Sequence, residues 1–171
     1  METWDIYDKN RNIIGETGTD CKIGCDQYHL AVHVCIFNFK GEMLIQKRQA
    51  FMKIRAGLWD LTAGGNAIAG EKSYQAAERE TFEELGIKLD LKNTRPHLTL
   101  NFPTGFDDIF LLEREIDISA LKLQEEEVEK VKWASRDEII KLIKEDKFLS
   151  YYPSFIEMLF DIRKSYRTYF K

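Results

Sequence analysis

Between Gly64 and Ile87 the chain reads GGNAIAGEKSYQAAERETFEELGI, a glycine-rich loop running straight into a carboxylate-rich helix. The loop covers Gly64 to Gly70. The helix is predicted to start near Glu71 or Ser73 and to stop at Leu85-Gly86, with Gly86 as its C-terminal cap. Tyr74, Ala77, Thr81 and Leu85 recur at helical spacing, which gives one packed face. Glu80, Glu83 and Glu84 stand at i, i+3 and i+4, so these carboxylates share a face within a single turn. Like charges that close repel, and on an ordinary surface helix they cost stability. A hard divalent cation reverses the sign, because Mg²⁺ and Mn²⁺ prefer carboxylate oxygens. Arg79, at i−4 from Glu83, can steady one carboxylate while the others face an ion. The glycines let backbone groups approach the same ion and a phosphate. A bare ExxEE is most simply a solvated acidic helix. The loop, the arginine and the terminal glycine at fixed distances set this stretch apart.

The stretch resembles the signature box of the Nudix hydrolases, G-x5-E-x7-R-E-U-x-E-E-x-G-U with U a bulky apolar residue. Gly65, Glu71, Arg79, Glu80, Glu83, Glu84, Gly86 and Ile87 match. Thr81 stands where an aliphatic residue is usual, and its β-branched shape is expected to pack in that place. The resemblance implies an α/β (α+β) fold, an α/β/α sandwich with a mixed β-sheet. It also implies hydrolysis of a nucleoside diphosphate linked to another moiety X, or of another small diphosphate. By the same resemblance Glu80, Glu83 and Glu84 are ligands for Mg²⁺ or Mn²⁺, with the Gly64 carbonyl a further ligand. Arg79 orients a glutamate, and Glu71 is either structural or an outer group. Either Glu83 or Glu84 takes the proton of the attacking water, or a glutamate outside the box does so; Glu126 or Glu127 is the candidate there, against a reading of that run as solvated loop.

At 171 residues the chain is long enough for one domain with a real core, and it is read as a single unit over 1–171. Its net charge of −4 gives no sign of a nucleic-acid polymer as partner, so a phosphate-bearing substrate needs a local basic patch or metal ions. No apolar run approaches the about 20 residues of a membrane span, and METWDIYDKN has no signal-peptide pattern. A cytoplasmic protein is expected. Cys21, Cys25 and Cys35 form neither a CxxC nor a zinc set, and are read as free thiols with Cys35 in the core.

An N-terminal hairpin is expected over about 3–16, and 17–27 reads as loop. The strongest strand is Tyr28 to Phe39, followed by a turn at Lys40-Gly41 and a partner strand from Glu42 to Arg48. Lys47 and Arg48 close that strand as a basic pair, and Lys53 and Arg55 add positive charge nearby; Lys47, Arg48 and Arg55 are phosphate-binding candidates. Gly57 to Leu61 is a short strand feeding the glycine loop. Further strands are expected at Leu98–Phe102, Asp107–Ile116 and Lys130–Ala134, the last after the acidic run from Glu125 to Glu129. Ser135 is a good N-cap for a helix from Arg136 to Lys144, with Glu138 as capping-box partner. An amphipathic helix is expected over about 151–170. Phe155, Met158, Leu159 and Ile162 form its apolar face, which Tyr166, Tyr169 and Phe170 extend. That face suits a core, and a homodimer contact is conceivable. Phe51, Trp59, Phe102 and Phe106 suit a core as well as a base-stacking role.

A second resemblance concerns Trp4-Asp5-Ile6-Tyr7-Asp8, Tyr28 to His33, Leu44 to Arg48, and Gly57 to Asp60. These segments are similar to Nudix proteins related to type I isopentenyl diphosphate isomerase. In that enzyme a cysteine follows the Trp strand; here Leu61-Thr62-Ala63 take its place, Cys35 does not match, and the box is intact where the isomerase's is altered. These departures favour a hydrolase. His29 corresponds to a metal-binding histidine of the isomerase. His29 and His33, at i and i+4 of a strand, face the same side and are substrate-contact candidates. A nucleotide-sensing module of the same fold is the remaining alternative.

Overall fold

The computed structural model describes residues 2–19 and 21–165. A near-continuous apolar run builds the central strand β3, His29–Phe37. Val32, Val34 and Ile36 point to one face and Cys35 and Phe37 to the other, so β3 is buried on both sides. It runs parallel to β8, Gly105–Glu113, along its whole length, and antiparallel to β6, Ala63–Asn66. It meets β4, Met43–Arg48, only at Phe37↔Met43. Beyond that point β4 pairs with β5, Trp59–Asp60, and with β9, Val128–Ala134. The strand β7, Leu98–Phe102, closes the other edge against β8. One parallel pair among antiparallel ones makes the sheet mixed.

The helix α1, Ser73–Leu85, covers the face of Val32, Val34 and Leu44 with Ala76, Ala77 and Leu85. It stops at Gly86, whose left-handed backbone (φ 69°) lets its N–H reach the Phe82 carbonyl at 2.8 Å. Thr81 is fully buried and its hydroxyl donates to the Ala77 carbonyl at 2.7 Å, which is how a polar residue occupies an aliphatic position. On the opposite face, α2, Arg136–Lys144, and α3, Pro153–Ile162, pack on Cys35, Phe37, Met43 and Ile45. The result is the expected helix–sheet–helix sandwich.

Several boundaries differ from expectation. The hairpin of β1, Thr3–Tyr7, and β2, Ile13–Gly18, runs past residue 16. Ser135 caps α2 through the Glu138 N–H, but the Glu138 carboxylate turns to Lys132 Nζ at 2.5 Å, because β9 lies alongside and offers a charge. The last helix ends at Ile162 rather than near 170, with Arg163 as its C-cap and the Arg163 guanidinium donating to the Phe160 carbonyl. Tyr166, Tyr169 and Phe170 lie outside the described residues. Within the described residues no helix is long and apolar enough to cross a membrane.

Candidate active site

The strand β6 carries two glycines, and each faces a different side of the sheet. A Cβ on Gly65 would overlap the Glu80 carboxylate. A Cβ on Gly64 would stand 2.6 Å from Cδ2 of His33. The bare backbone of β6 is therefore a thin partition, with the α1 carboxylates on one side and His33 on the other.

On the α1 side, Arg79 organises the acids. Its guanidinium bonds Glu71 through Nε and Nη2 (2.8 and 3.0 Å), Glu80 through Nη1 (2.9 Å), and Glu83 through Nη1 (3.0 Å). Its Nη2 also reaches the Asn66 carbonyl at 3.0 Å, tying helix to loop. Instead of steadying one carboxylate, Arg79 holds three. Glu71 also accepts from the Ile68 N–H at 3.0 Å, a structural role at the loop. These bonds raise the Arg79 pKa further above its already high ordinary value, so it stays charged.

Glu84 is 1% exposed. It accepts from Gln46 Nε2 at 2.9 Å and from the Gly64 N–H at 3.2 Å. Burial pushes its carboxyl well above the usual range, and the charges of Glu80 and Glu127 add to the shift. Glu80 moves up for the same leading reason, burial, with Arg79 opposing and Glu83 and Glu127 contributing. Glu127, half-buried in the turn before β9, is thus within electrostatic reach of both, whereas Glu126 is exposed. Glu83 is half exposed at the rim.

Among the described residues no three His, Cys, Asp or Glu side chains already stand in ion-holding geometry. Arg79 draws Glu80 and Glu83 to itself, and Glu84 is turned to Gln46 and Gly64. The donor set nonetheless suits a hard cation: it is all-oxygen and crowded, and burial disfavours the charged form of Glu80 and Glu84 until a cation compensates it.

The basic candidates scatter. Lys47 is paired with Glu129 at 2.6 Å. Arg48 sits opposite Val128, next to Glu127 in sequence, and its Nε is buried with no hydrogen-bond partner. Arg55 is exposed in the loop before β5, and among the described residues it makes no ion pair. His29 lies between Trp4, stacked at 4.8 Å, and Phe102, edge-on at 5.2 Å; burial lowers its pKa and its Nδ1 has no partner. His33 has its Nδ1 2.9 Å from both oxygens of Asp107. The two histidines leave the same strand but end in different surroundings.

Sequence reasoning missed the companions of His33. Asp107 bonds it and Asp60 lies within electrostatic reach, and the Tyr151 hydroxyl donates to Asp60 Oδ1 at 3.1 Å. It also missed the tether of the glycine loop to the hairpin, in which the Ala69 N–H donates to the Thr3 carbonyl and the Gly70 N–H to Asp5 Oδ2, both at 2.8 Å.

Residues 27–155 match the NUDIX domain family. The chain is 40% identical over 171 residues to an uncharacterized Nudix hydrolase of Listeria monocytogenes, covering 99% of this chain and 100% of that one. It is 33% identical over 90 residues to an isopentenyl-diphosphate Delta-isomerase of Pectobacterium atrosepticum, covering 53% of this chain and 48% of the isomerase. A Deinococcus radiodurans crystal structure superposes with a TM-score of 0.72 at 16% identity, over 86% of this chain and 91% of that one, a likeness of fold.

Proposed function

The chain belongs to the NUDIX family, and from that premise we propose that it is a divalent-metal-dependent hydrolase cutting the diphosphate linkage of a nucleoside diphosphate-X or another small diphosphate. One observation carries this reading. Glu80 and Glu84 are packed against the Gly64–Gly65 strand with Glu127 in reach, and among the described residues Glu84 has no cationic partner. Such a set is costly in an apoprotein and useful for holding Mg²⁺ or Mn²⁺.

In this reading Glu80, Glu83, Glu84 and the Gly64 carbonyl hold the metal. The ion when bound neutralises the diphosphate and lowers the pKa of water. Arg79 fixes the helix acids against the loop. Glu83, Glu84 or Glu127 receives the proton of the attacking water. Arg48 and Arg55 bind phosphate oxygens; the orphaned Nε of Arg48 supports its part. Lys47, already paired with Glu129, contributes positive field, and His33 and His29 contact substrate. Residues 1–171 act as one domain, an assignment supported by the Tyr7–Tyr28 backbone bonds at 2.7 and 3.0 Å that join the hairpin to the sheet.

The isomerase-like reading is weaker. The place of the isomerase's cysteine is occupied by Leu61, Thr62 and Ala63, and Thr62 is fully buried with its hydroxyl on the Leu44 carbonyl. Cys35 is buried and its thiol is pushed well above its ordinary pKa, so it is no substitute.

The test is a panel of nucleoside diphosphate sugars, dinucleotides, nucleoside triphosphates and isopentenyl diphosphate with Mg²⁺, following the phosphomonoester products, released phosphate or pyrophosphate, and isomer formation. Hydrolysis that falls at least ~100-fold in Glu83→Gln with the fold intact is expected, the scale of losing a main charge-stabilising group. Isomer formation without hydrolysis, or binding without turnover, would overturn the reading.

A further inference from the structure

We propose that Gln49 is a positioning residue: its side-chain amide and its backbone hold the turn over 124–128 against β4 and α1, and so fix where the Glu127 carboxylate stands beside the acids of the box. This rests on the diphosphate reading above and adds a residue that none of the site candidates included.

A bulge interrupts the pairing of β4 with β9. Lys47 faces Lys130 and Arg48 faces Val128, which leaves Glu129 as the extra residue. Without it Gln49 would face Val128. With it the Gln49 N–H donates to the Glu127 carbonyl at 2.8 Å. Val128 is buried with Ala76, Ala77 and Leu85 of α1, so the turn joins the sheet on the α1 side. Gln49 Nε2 donates to the Glu125 carbonyl at 2.9 Å and to the Val128 carbonyl at 3.4 Å. These two acceptors flank Glu127 in sequence, and one amide spans the turn that carries it. At its other end the turn is tied to the helix, where the Gln124 N–H donates to the Glu84 carbonyl at 3.0 Å. The N–H groups of Glu127 and Val128 close it on the Gln124 carbonyl at 3.0 and 2.8 Å. The Glu84 carboxylate takes Gln46 Nε2 at 2.9 Å, three residues before Gln49. Strand, helix and turn thus form a closed ring of hydrogen bonds with two links on Glu84.

A side chain can place another group only if it is itself fixed. The Gln49 carbonyl accepts from the Gly57 N–H at 3.2 Å and the Met52 N–H at 3.4 Å, so the residue also closes the loop that carries Arg55. Glu127 depends on such support. Among the described residues no hydrogen bond reaches its carboxylate, so the backbone of the turn sets where it stands. Glu125 and Glu126, in the same turn, are exposed, and Glu127 alone of the three is half-buried. Its charge is felt by both Glu80 and Glu84, in agreement with the side of the sheet on which the turn is held. A carboxylate displaced by about 1 Å from a reacting water loses much of its effect, which gives a remote amide leverage on the rate.

Gln49→Met keeps the length of the side chain and removes its donor. It is compared with Glu127→Gln and with the double variant in two measurements: steady-state hydrolysis, with Mg²⁺, of the panel compound turned over fastest, and calorimetric binding of Mn²⁺ alone. Water can reach the freed carbonyls, so Gln49→Met is expected to melt within about 4 °C of the native chain. It is expected to lower kcat about 10-fold with KM changed less than about threefold, and to weaken Mn²⁺ binding severalfold. In the Glu127→Gln background the same substitution is expected to change kcat and Mn²⁺ affinity less than about twofold, because no carboxylate is left to place. Losses that multiply, a Gln49→Met variant that behaves as native, or a Glu127→Gln variant that leaves both measurements unchanged would overturn the assignment. Non-additive Mn²⁺ binding with no compound hydrolysed leaves the positioning role standing and removes the hydrolase. Hydrolysis with losses that multiply does the reverse.

Discussion

Arg79 holds Glu71 with two parallel bonds, Nε to Oε1 at 2.8 Å and Nη2 to Oε2 at 3.0 Å. The fork joins the middle of α1 to the end of the glycine loop and at the same time sets Glu80 and Glu83. A lysine keeps the charge but cannot make the fork. Arg79→Lys is expected to cost about 2 kcal/mol of stability and to lower kcat ten-fold or more, by about the scale of a lost positioning group. Thermal melting and steady-state kinetics on the same preparation check both.

Glu84 gives the opposite sign for stability. Its carboxyl is pushed well above the ordinary value of 4.5 by burial, then by Glu80 and Glu127. The folded chain binds that proton more tightly than the unfolded chain. The stability so gained is complete below pH 4.5 and lost as pH rises through the folded-state value. In metal-free protein at pH 7, Glu84→Gln is expected to raise Tm by about 2–6 °C while cutting hydrolysis at least ~100-fold. The Tm gain should shrink as the pH is lowered. Melting curves in EDTA from pH 5 to 8 decide it; a variant that melts below the native chain at pH 7 contradicts the account.

Thr62 is a buried crosspoint. Its hydroxyl donates to the Leu44 carbonyl at 2.5 Å and accepts from the Ile36 N–H at 2.9 Å. Thr62→Val keeps the shape and strands both backbone groups, at about 2–3 kcal/mol. A drop in Tm of about 5–10 °C is expected, read by calorimetry.

The three thiols should divide two to one. Cys21 and Cys25 are exposed and Cys35 is buried. Burial, with Asp107 and Asp60 nearby, holds the Cys35 thiol well above its ordinary pKa of 9.0, so at pH 8 it carries almost no thiolate. A disulfide-exchange reagent is expected to titrate two thiols in native protein and the third only after unfolding. Rapid reaction of all three at pH 8 without denaturant would show Cys35 to be accessible.

Local pattern made much of this fold legible. The box spacing located α1 and its Gly86 cap, and runs of β-branched and aromatic residues after turn signals located β3, β4 and β8. Features that depend on register were not. Lys47 meets Glu129 only because β4 lies beside β9, 82 residues away in sequence. Tyr151 and Asp60 are separated by 91 residues, and no spacing rule connects them. Glu138 had the position for a capping box, but a nearby ammonium group won the carboxylate. The carboxylates of the box were visible as a cluster, while their unequal burial, which divides Glu84 from Glu83, arises from how α1 sits on the sheet.

The tether between the first strand and the glycine loop has a practical bearing. Thr3 and Asp5 lie well outside the stretch that defines the family match, yet they secure Ala69 and Gly70. A recombinant fragment cut to residues 27–155 would preserve every box residue and still release the loop from its N-terminal moorings. Wherever activity is sought, the cloning boundary belongs upstream of Thr3.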